Sequence, residues 1–412
     1  MSEIPYGKKD LAILHDLAKK VREIADLPVQ QERINRIKAH NALQPGRPLV
    51  ISMPEGGWRE LLPQSVLQCE NEMARGWEMQ LRRNIYQFEQ IGDDSPIDAY
   101  FDIPVSFKSG DFGVEVKMEQ GENRGSYKWD PPIKNLPQDI DKLRYRQPRV
   151  NHEWTAQKLD YAGEVFDGIL YPRLRRQYWW TNGLTWTMIN LMGLEQFMVL
   201  MLTQPEDMHT FMAWLRDEHL HYITWCENEG ILCLNNGSDL IGSGGWGFTD
   251  ELPQSGADTV QLRDLWGLSE SQESVGISTE LFGEFIFPYQ LPIIKKFGLA
   301  CYGCCEGLQD RIDYVLRIPN LRKVSVSPWA DQEVMAQKLQ GKYIFSRKPN
   351  PSQICVTFDE EQIRKDIRFT LSVAGDQPLE FIMKDTHTFH NEPWRIRKWV
   401  QIAREEVDRF ME

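Results

Sequence analysis

The chain has no uninterrupted apolar stretch of the roughly 18 residues that a membrane-spanning helix needs. Its longest nearly apolar segment, Gln196 to Leu202, sits in a helical pattern and reads as core. Positive charge is also scarce: 47 Lys and Arg stand against 60 Asp and Glu, a net charge of −13, and no basic block stands out. Nucleic-acid binding is therefore not expected, because phosphate recognition rests on a clustered positive field. The first residues lack the basic start and apolar run of a signal peptide, and no lipidation box is present, so the expectation is a cytoplasmic protein. Cysteine is sparse and odd in number, 7 in 412 residues, yet three crowd together at Cys301, Cys304 and Cys305. In a reducing compartment that reads as free thiols, a metal site or catalysis before disulfides.

What is present is ordinary globular composition, 41% hydrophobic and 26% charged residues, enough to bury a large core. Apolar residues at Leu11, Leu14, Ala18, Val21 and Ala25 follow Asp10 at helical spacing, which makes Asp10 an N-cap. Residues 1–45 read as an N-terminal helical extension. The apolar run from Arg47 to Pro54 reads as a first buried strand, and Val66, Cys69, Met73, Trp77, Leu81, Ile85 and Phe88 mark a helix. Residues 97–105 alternate as a strand, and residues 106–138, rich in Gly, Lys, Glu and Pro, read as a hairpin flap inserted into the core fold. From residue 160 onward short apolar strands alternate with amphipathic helices. That rhythm predicts a parallel sheet with helical crossovers, and about eight units predict one closed (β/α)8 barrel, of TIM type, over residues 46–412. Informative residues then lie just beyond the carboxyl ends of the strands.

Three segments there could carry chemistry. In Cys301-Tyr302-Gly303-Cys304-Cys305-Glu306, strand alternation would put Tyr302, Cys304 and Glu306 on one face. In Lys384-Asp385-Thr386-His387, Asp385 and His387 would share a face at the strand mouth. Combined with Cys304, they offer the sulfur, nitrogen and oxygen donors that a zinc site takes. The third segment, Asn235-Asn236-Gly237-Ser238-Asp239 followed by Gly242-Ser-Gly-Gly-Trp-Gly247, lacks the pattern of a phosphate loop and reads as a flexible lid. In that reading Asn236 and Asp239 contact substrate and Trp246 helps exclude water. The 14 tryptophans, several beside predicted strand ends, would suit a flat substrate.

Phe282-Gly-Glu-Phe-Ile-Phe-Pro-Tyr289, the segment from Phe297 to Glu306, Val324-Ser-Val-Ser-Pro-Trp329 and Lys384-Asp-Thr-His-Thr388 with Asn391-Glu-Pro393 give the chain a further feature. In that order they resemble the uroporphyrinogen decarboxylase superfamily. The resemblance covers residues 160–412 well and implies an (α/β)8 barrel. Where true uroporphyrinogen decarboxylases carry two arginines in a Met-Arg-Gln-Ala-Gly-Arg box, this chain reads Met53-Pro54-Glu55-Gly56-Gly57-Trp58, which argues against a polyacid substrate.

The corrinoid (cobalamin)-dependent methyltransferase branch binds zinc through a His-x-Cys pair and a later Cys. Here those positions read Tyr302-Gly303-Cys304 and His387, so only Cys304 matches. The resemblance implies a substrate-side O-demethylase component that moves a methyl group from a methoxylated, aromatic small molecule to the Co(I) of a separate corrinoid-binding protein. The leaving oxygen would be activated by zinc or a pocket acid. Cys304, Glu306 and His387 form the expected centre, with Glu306, His387 and Asp385 catalytic and Tyr302, Asn236, Asp239 and Trp246 toward substrate. Homodimers are common in the superfamily. The alternative is a metal-independent decarboxylase of a smaller acid, held by residues such as Arg347 and Lys348.

Overall fold

A computed structural model describes residues 7–120, 127–253 and 259–412. The chain is an α/β protein built on six parallel strands: β1 (Leu49–Ser52), β4 (Trp266–Ser269), β5 (Leu299–Tyr302), β6 (Leu321–Val326), β7 (Ile344–Arg347) and β8 (Leu379–Met383). Their order is β1-β8-β7-β6-β5-β4, all neighbours parallel. Two further strands, β2 (Tyr100–Pro104) and β3 (Tyr171–Arg175), pair parallel with each other and stand apart from the six. Helices α1 (Lys8–Ala25), α2 (Pro28–Asn41), α3 (Glu72–Tyr86), α4 (His152–Phe166), α5 (Pro205–Asn228), α6 (Glu360–Ala374) and α7 (Trp394–Met411) surround them. No described helix is long and apolar enough to cross a membrane. Antiparallel strands Lys117–Gln120 and Tyr127–Asp130 form a hairpin in the segment read as a flap, whose residues 121–126 lie outside the described residues.

The closed eight-stranded ring expected from the sequence is not completed by ladder hydrogen bonds among the described residues, and side chains show why. On the free edge of β1, the amides of Val50 and Ser52 donate to the carboxylates of Asp94 and Asp93 at 2.8 and 2.7 Å. On the free edge of β4, Trp266 exchanges hydrogen bonds with the Asn235 side chain at 2.9 and 3.0 Å, and the Leu268 carbonyl accepts the Asn182 amide at 2.6 Å. Both edges are thus satisfied without a neighbouring strand, one way a protein blunts an open sheet edge. The gap between them is where the cavity described below opens.

Outward residues such as Val324, Phe345 and Phe381 join the main core under the helices. A second core joins α1, α3 and α4 to Phe101 and Ile103 of β2. Asp10 lies inside the first turn of α1 rather than at its N-cap, because its carboxylate accepts the amides of Glu70 and Asn71 at 2.8 and 3.0 Å.

The alternate, inward positions of the sheet are unusually polar: Lys323 and Glu380 pair at 2.8 Å, both buried. The glycine-rich segment after Asp239 packs against them. Leu240 bridges Trp246, and Gly242, Gly244 and Gly245 turn at φ +58°, +117° and +101°. A Cβ on these three would stand 3.0 Å from Cys301 Sγ, 2.8 Å from Met53 Sδ and 2.7 Å from Lys323 Nζ. The segment read as a lid is therefore seated on the inner face of the sheet. Only glycine admits both the backbone conformation and the close approach.

Candidate functional site

A cavity of about 560 Å³ has the size of a small-molecule site. It lies in the gap between the free edges of β1 and β4, walled by α3 and by the residues around β2 and β3. Its walls are aromatic, with Trp58, Tyr178, Trp179, Trp180, Trp246 and Trp266 among them, and four carboxyl residues line it: Glu55, Asp98, Asp102 and Asp239.

These carboxyl groups differ in their partners. Asp102 accepts Arg173 Nε at 2.6 Å. Asp239 stands 3.1 Å from Arg175 Nε and accepts the Gly237 amide at 3.2 Å. Asp98 accepts Ser238 Oγ at 2.6 Å and the Tyr100 amide at 3.1 Å, with Arg173 bound to the far side of Ser238 at 2.8 Å. Burial raises Asp98 and Asp239 above the usual carboxylate range, and the guanidinium groups beside them pull the other way without cancelling it. Asp239 touches its guanidinium directly and is best described as one half of an ion pair. Asp98 makes no ion pair with a guanidinium among the described residues, and burial inclines it toward holding a proton. Glu55, at φ +45°, is also raised by burial, against the nearby Lys384 ammonium, and it links the cavity to the ends of the strands.

At those ends the thiol segment forms a compact polar cluster of its own. Cys304 Sγ lies 3.5 Å from Cys305 Sγ and 3.5 Å from Lys384 Nζ, while Cys305 donates to Asp385 Oδ2 at 3.5 Å. The contact with Cys305, and after it the Lys384 ammonium, pulls the Cys304 thiol below its usual range although burial opposes both. Glu306 belongs to a different environment. Its two carboxylate oxygens accept the amides of Ser271 at 2.9 Å and Cys304 at 2.8 Å, which closes the turn after β5. Burial nevertheless raises its pKa.

The sequence-predicted residues are therefore scattered. Cys304 and Asp385 meet in the thiol cluster, whereas Glu306 is committed to backbone amides and His387 is exposed. No hydrogen bond joins Asp385 to His387 among the described residues; Asp385 faces Cys305 and Lys384 instead. Among the described residues no three His, Cys, Asp or Glu side chains are gathered so as to hold a metal ion. As they stand, the donors Cys304, Glu306 and His387 do not fit a common zinc, and no step is derived through one. Tyr302 is buried against the outer core, its hydroxyl donating to Gln290 at 2.8 Å, because Gly303 at φ +92° breaks the alternation that would have aligned it with Cys304. Asn236 donates its side-chain amide to the Pro253 carbonyl at 2.6 Å. Asp239 and Trp246 do line the cavity, Trp246 with its indole N–H on Ser95 Oγ at 3.1 Å. Arg347 turns outward to the Ser327 carbonyl and Asp366, and Lys348 is sealed inside on Ser346.

Asp98 was not found from sequence because it follows no motif and precedes its partner Ser238 by 140 residues. Its only signal is a carboxylate in an otherwise apolar run ahead of β2.

No family model matches the chain, and no curated protein matches it. Among solved structures 24 chains match. One is a methyltransferase from Methanosarcina mazei, 8% identical, with a TM-score of 0.49, over 92% of this chain and 99% of that one.

Proposed function

We propose that this chain is a methyltransferase that binds a methoxylated aromatic compound in the cavity and passes its methyl group to a reduced corrinoid carried by a separate protein. The observation that carries the reading is Asp98: a carboxyl group held toward its protonated form in an aromatic cavity. Cleaving a methyl ether leaves an alkoxide or phenoxide, and a carboxylic acid beside that oxygen supplies the proton it needs. The corrinoid would supply the nucleophile at the methyl carbon.

The chain's own tasks follow from the cavity. The indole rings would hold a flat ring and exclude water, and the Asp239–Arg175 pair would fix the polar substituents. Asp98 would deliver its proton as the carbon–oxygen bond breaks, with the bonding electrons remaining on oxygen. A space of about 560 Å³ suits a substrate of one or two rings, so the carrier protein would meet it at the mouth.

The test is anaerobic incubation with para-methoxybenzoate and free cob(I)alamin standing in for the protein-bound corrinoid. Release of para-hydroxybenzoate matched by loss of the reduced-corrinoid absorbance is the expected result. Absence of both across a panel of methoxylated aromatics, with the reduced corrinoid intact, overturns the reading.

A further inference from the structure

Helix α3 turns a polar face into the cavity. Gln80, Arg83 and Asn84, with Gln87 one residue beyond the helix, follow the i, i+3, i+4, i+7 spacing of a single helical face, and all four line the cavity. Gln87 is occupied, donating to the Ser52 carbonyl at 3.2 Å and to Asp93 at 2.9 Å. The side chains of Gln80, Arg83 and Asn84 make no hydrogen bond or ion pair among the described residues.

Arg83 is the informative one. Three guanidinium groups line the cavity, and the other two are engaged: Arg175 with Asp239 at 3.1 Å, and Arg176 with the Val105 carbonyl at 3.1 Å. Among the described residues Arg83 has only the face of Trp58, its guanidinium carbon 5.4 Å from the ring centroid, and Tyr86 supports that ring edge-on at 5.9 Å. Partial desolvation lowers its pKa although the residue is exposed, and no carboxylate among the described residues offsets the loss. The ring face restrains the guanidinium while leaving its N–H groups free, and their fork matches the two oxygens of a carboxylate.

We propose that Arg83, stacked on Trp58 and flanked by the side-chain amides of Gln80 and Asn84, anchors a carboxylate of the substrate. The inference rests on the cavity being the substrate site and narrows the substrate class from methoxylated aromatics to methoxylated aromatic acids. The chain lacks the arginines that its relatives by resemblance carry in the Met53 to Trp58 stretch. Here a guanidinium enters from α3 instead and lies over Trp58, the last residue of that stretch. One free guanidinium fits one carboxylate, where a polyacid would leave charges unmatched against the acidic groups of the cavity.

Titration calorimetry on the full chain tests this with para-methoxybenzoate, benzoate and para-methoxybenzyl alcohol. The two carboxylates are expected to bind about tenfold or more tighter than the alcohol, the difference a charge-assisted contact makes. Arg83→Gln should remove that advantage from both acids and leave the alcohol unchanged, and Arg83→Lys should restore part of it. Equal binding of acid and alcohol by the wild type, an acid preference that survives Arg83→Gln, or a variant that also loses the alcohol would each overturn the anchor. Arg83-dependent binding of the acids without methyl transfer would overturn the proposed reaction and leave the anchor standing.

Discussion

Two polar regions of this molecule lie close together and differ in one respect. The turns after β5 and β8 hold Cys304, Cys305, Glu306, Lys384 and Asp385, and nearly every one of their polar atoms faces a partner from the same cluster or from a backbone amide. In the gap between β1 and β4 the cavity instead presents Gln80, Arg83 and Asn84 without hydrogen-bond partners among the described residues, and Asp98 raised by burial. Polar groups gathered at a cavity wall without protein partners are the ones that a ligand can engage. The first region is rich in reactive residue types and internally satisfied. The second has the groups with unfilled requirements.

The largest expected effect tests that contrast directly. Asp98→Asn keeps the shape and the contact with Ser238 but removes the proton, and methyl transfer should fall by about 10²- to 10⁴-fold. Because the acid works in its protonated form, wild-type turnover should decline as pH rises through a pKa above the usual carboxylate range, and the variant should lose that limb. A full set of rates against pH distinguishes this from a loss of binding. Glu306→Gln should leave turnover nearly intact if Glu306 only closes the turn.

Next in size is the glycine-rich segment seated on the inner face of the sheet. Gly244→Ala places a methyl group 2.8 Å from Met53 Sδ and 2.9 Å from Ile382 Cγ2 at φ +117°, and it should cost about 3 kcal/mol in denaturant unfolding. Such a loss would confirm that this segment is part of the core. A loss below about 0.5 kcal/mol would return it to the role of a movable cover. Glu306→Gln should cost about 2 kcal/mol, since one of the two backbone amides then faces an NH₂ group and loses its acceptor.

How much of this was legible in the sequence follows from which residues face which way. β1 stands out as the apolar run from Arg47 to Pro54, and β5, β6, β7 and β8 stand out as short apolar runs bounded by turns. β4, Trp266-Gly-Leu-Ser269, does not, as glycine and serine hide its apolar character. The alternation rule placed Cys304 and Glu306 with Tyr302, and a single left-handed glycine at 303 broke it. The acidic substitution at Glu55 was visible, and Glu55 lies in the cavity wall. Arg83 was invisible for a general reason. The apolar stripe of α3 predicted the helix, and the opposite, polar face of an amphipathic helix is read as solvent by default. Here it faces a cavity, and only the position of β2 and β3 makes it so.

The smallest effect concerns the guarded edge of β4. Asn182, whose amide caps Leu268, is itself held by the His219 ring: Nε2 lies 3.0 Å from Asn182 Oδ1. Arg146 stands 3.4 Å from the other ring nitrogen and pairs with Glu218 at 2.7 Å. Burial, and then the Arg146 charge, lowers the His219 pKa from 6.5 to about 3. The unfolded chain therefore binds a proton at this residue that the folded chain refuses throughout that interval. Folding stability is unaffected by His219 above about pH 6.5 and falls as pH drops toward 3, by at most about 1.4 kcal/mol per pH unit. His219→Gln removes the titration while keeping an amide to meet Asn182. Urea unfolding of wild type and variant at about pH 7 and pH 5 should show a smaller acid loss in the variant. Equal losses would mean that the edge of β4 does not depend on a neutral histidine, and the two edges of the sheet would then differ in how firmly they are closed.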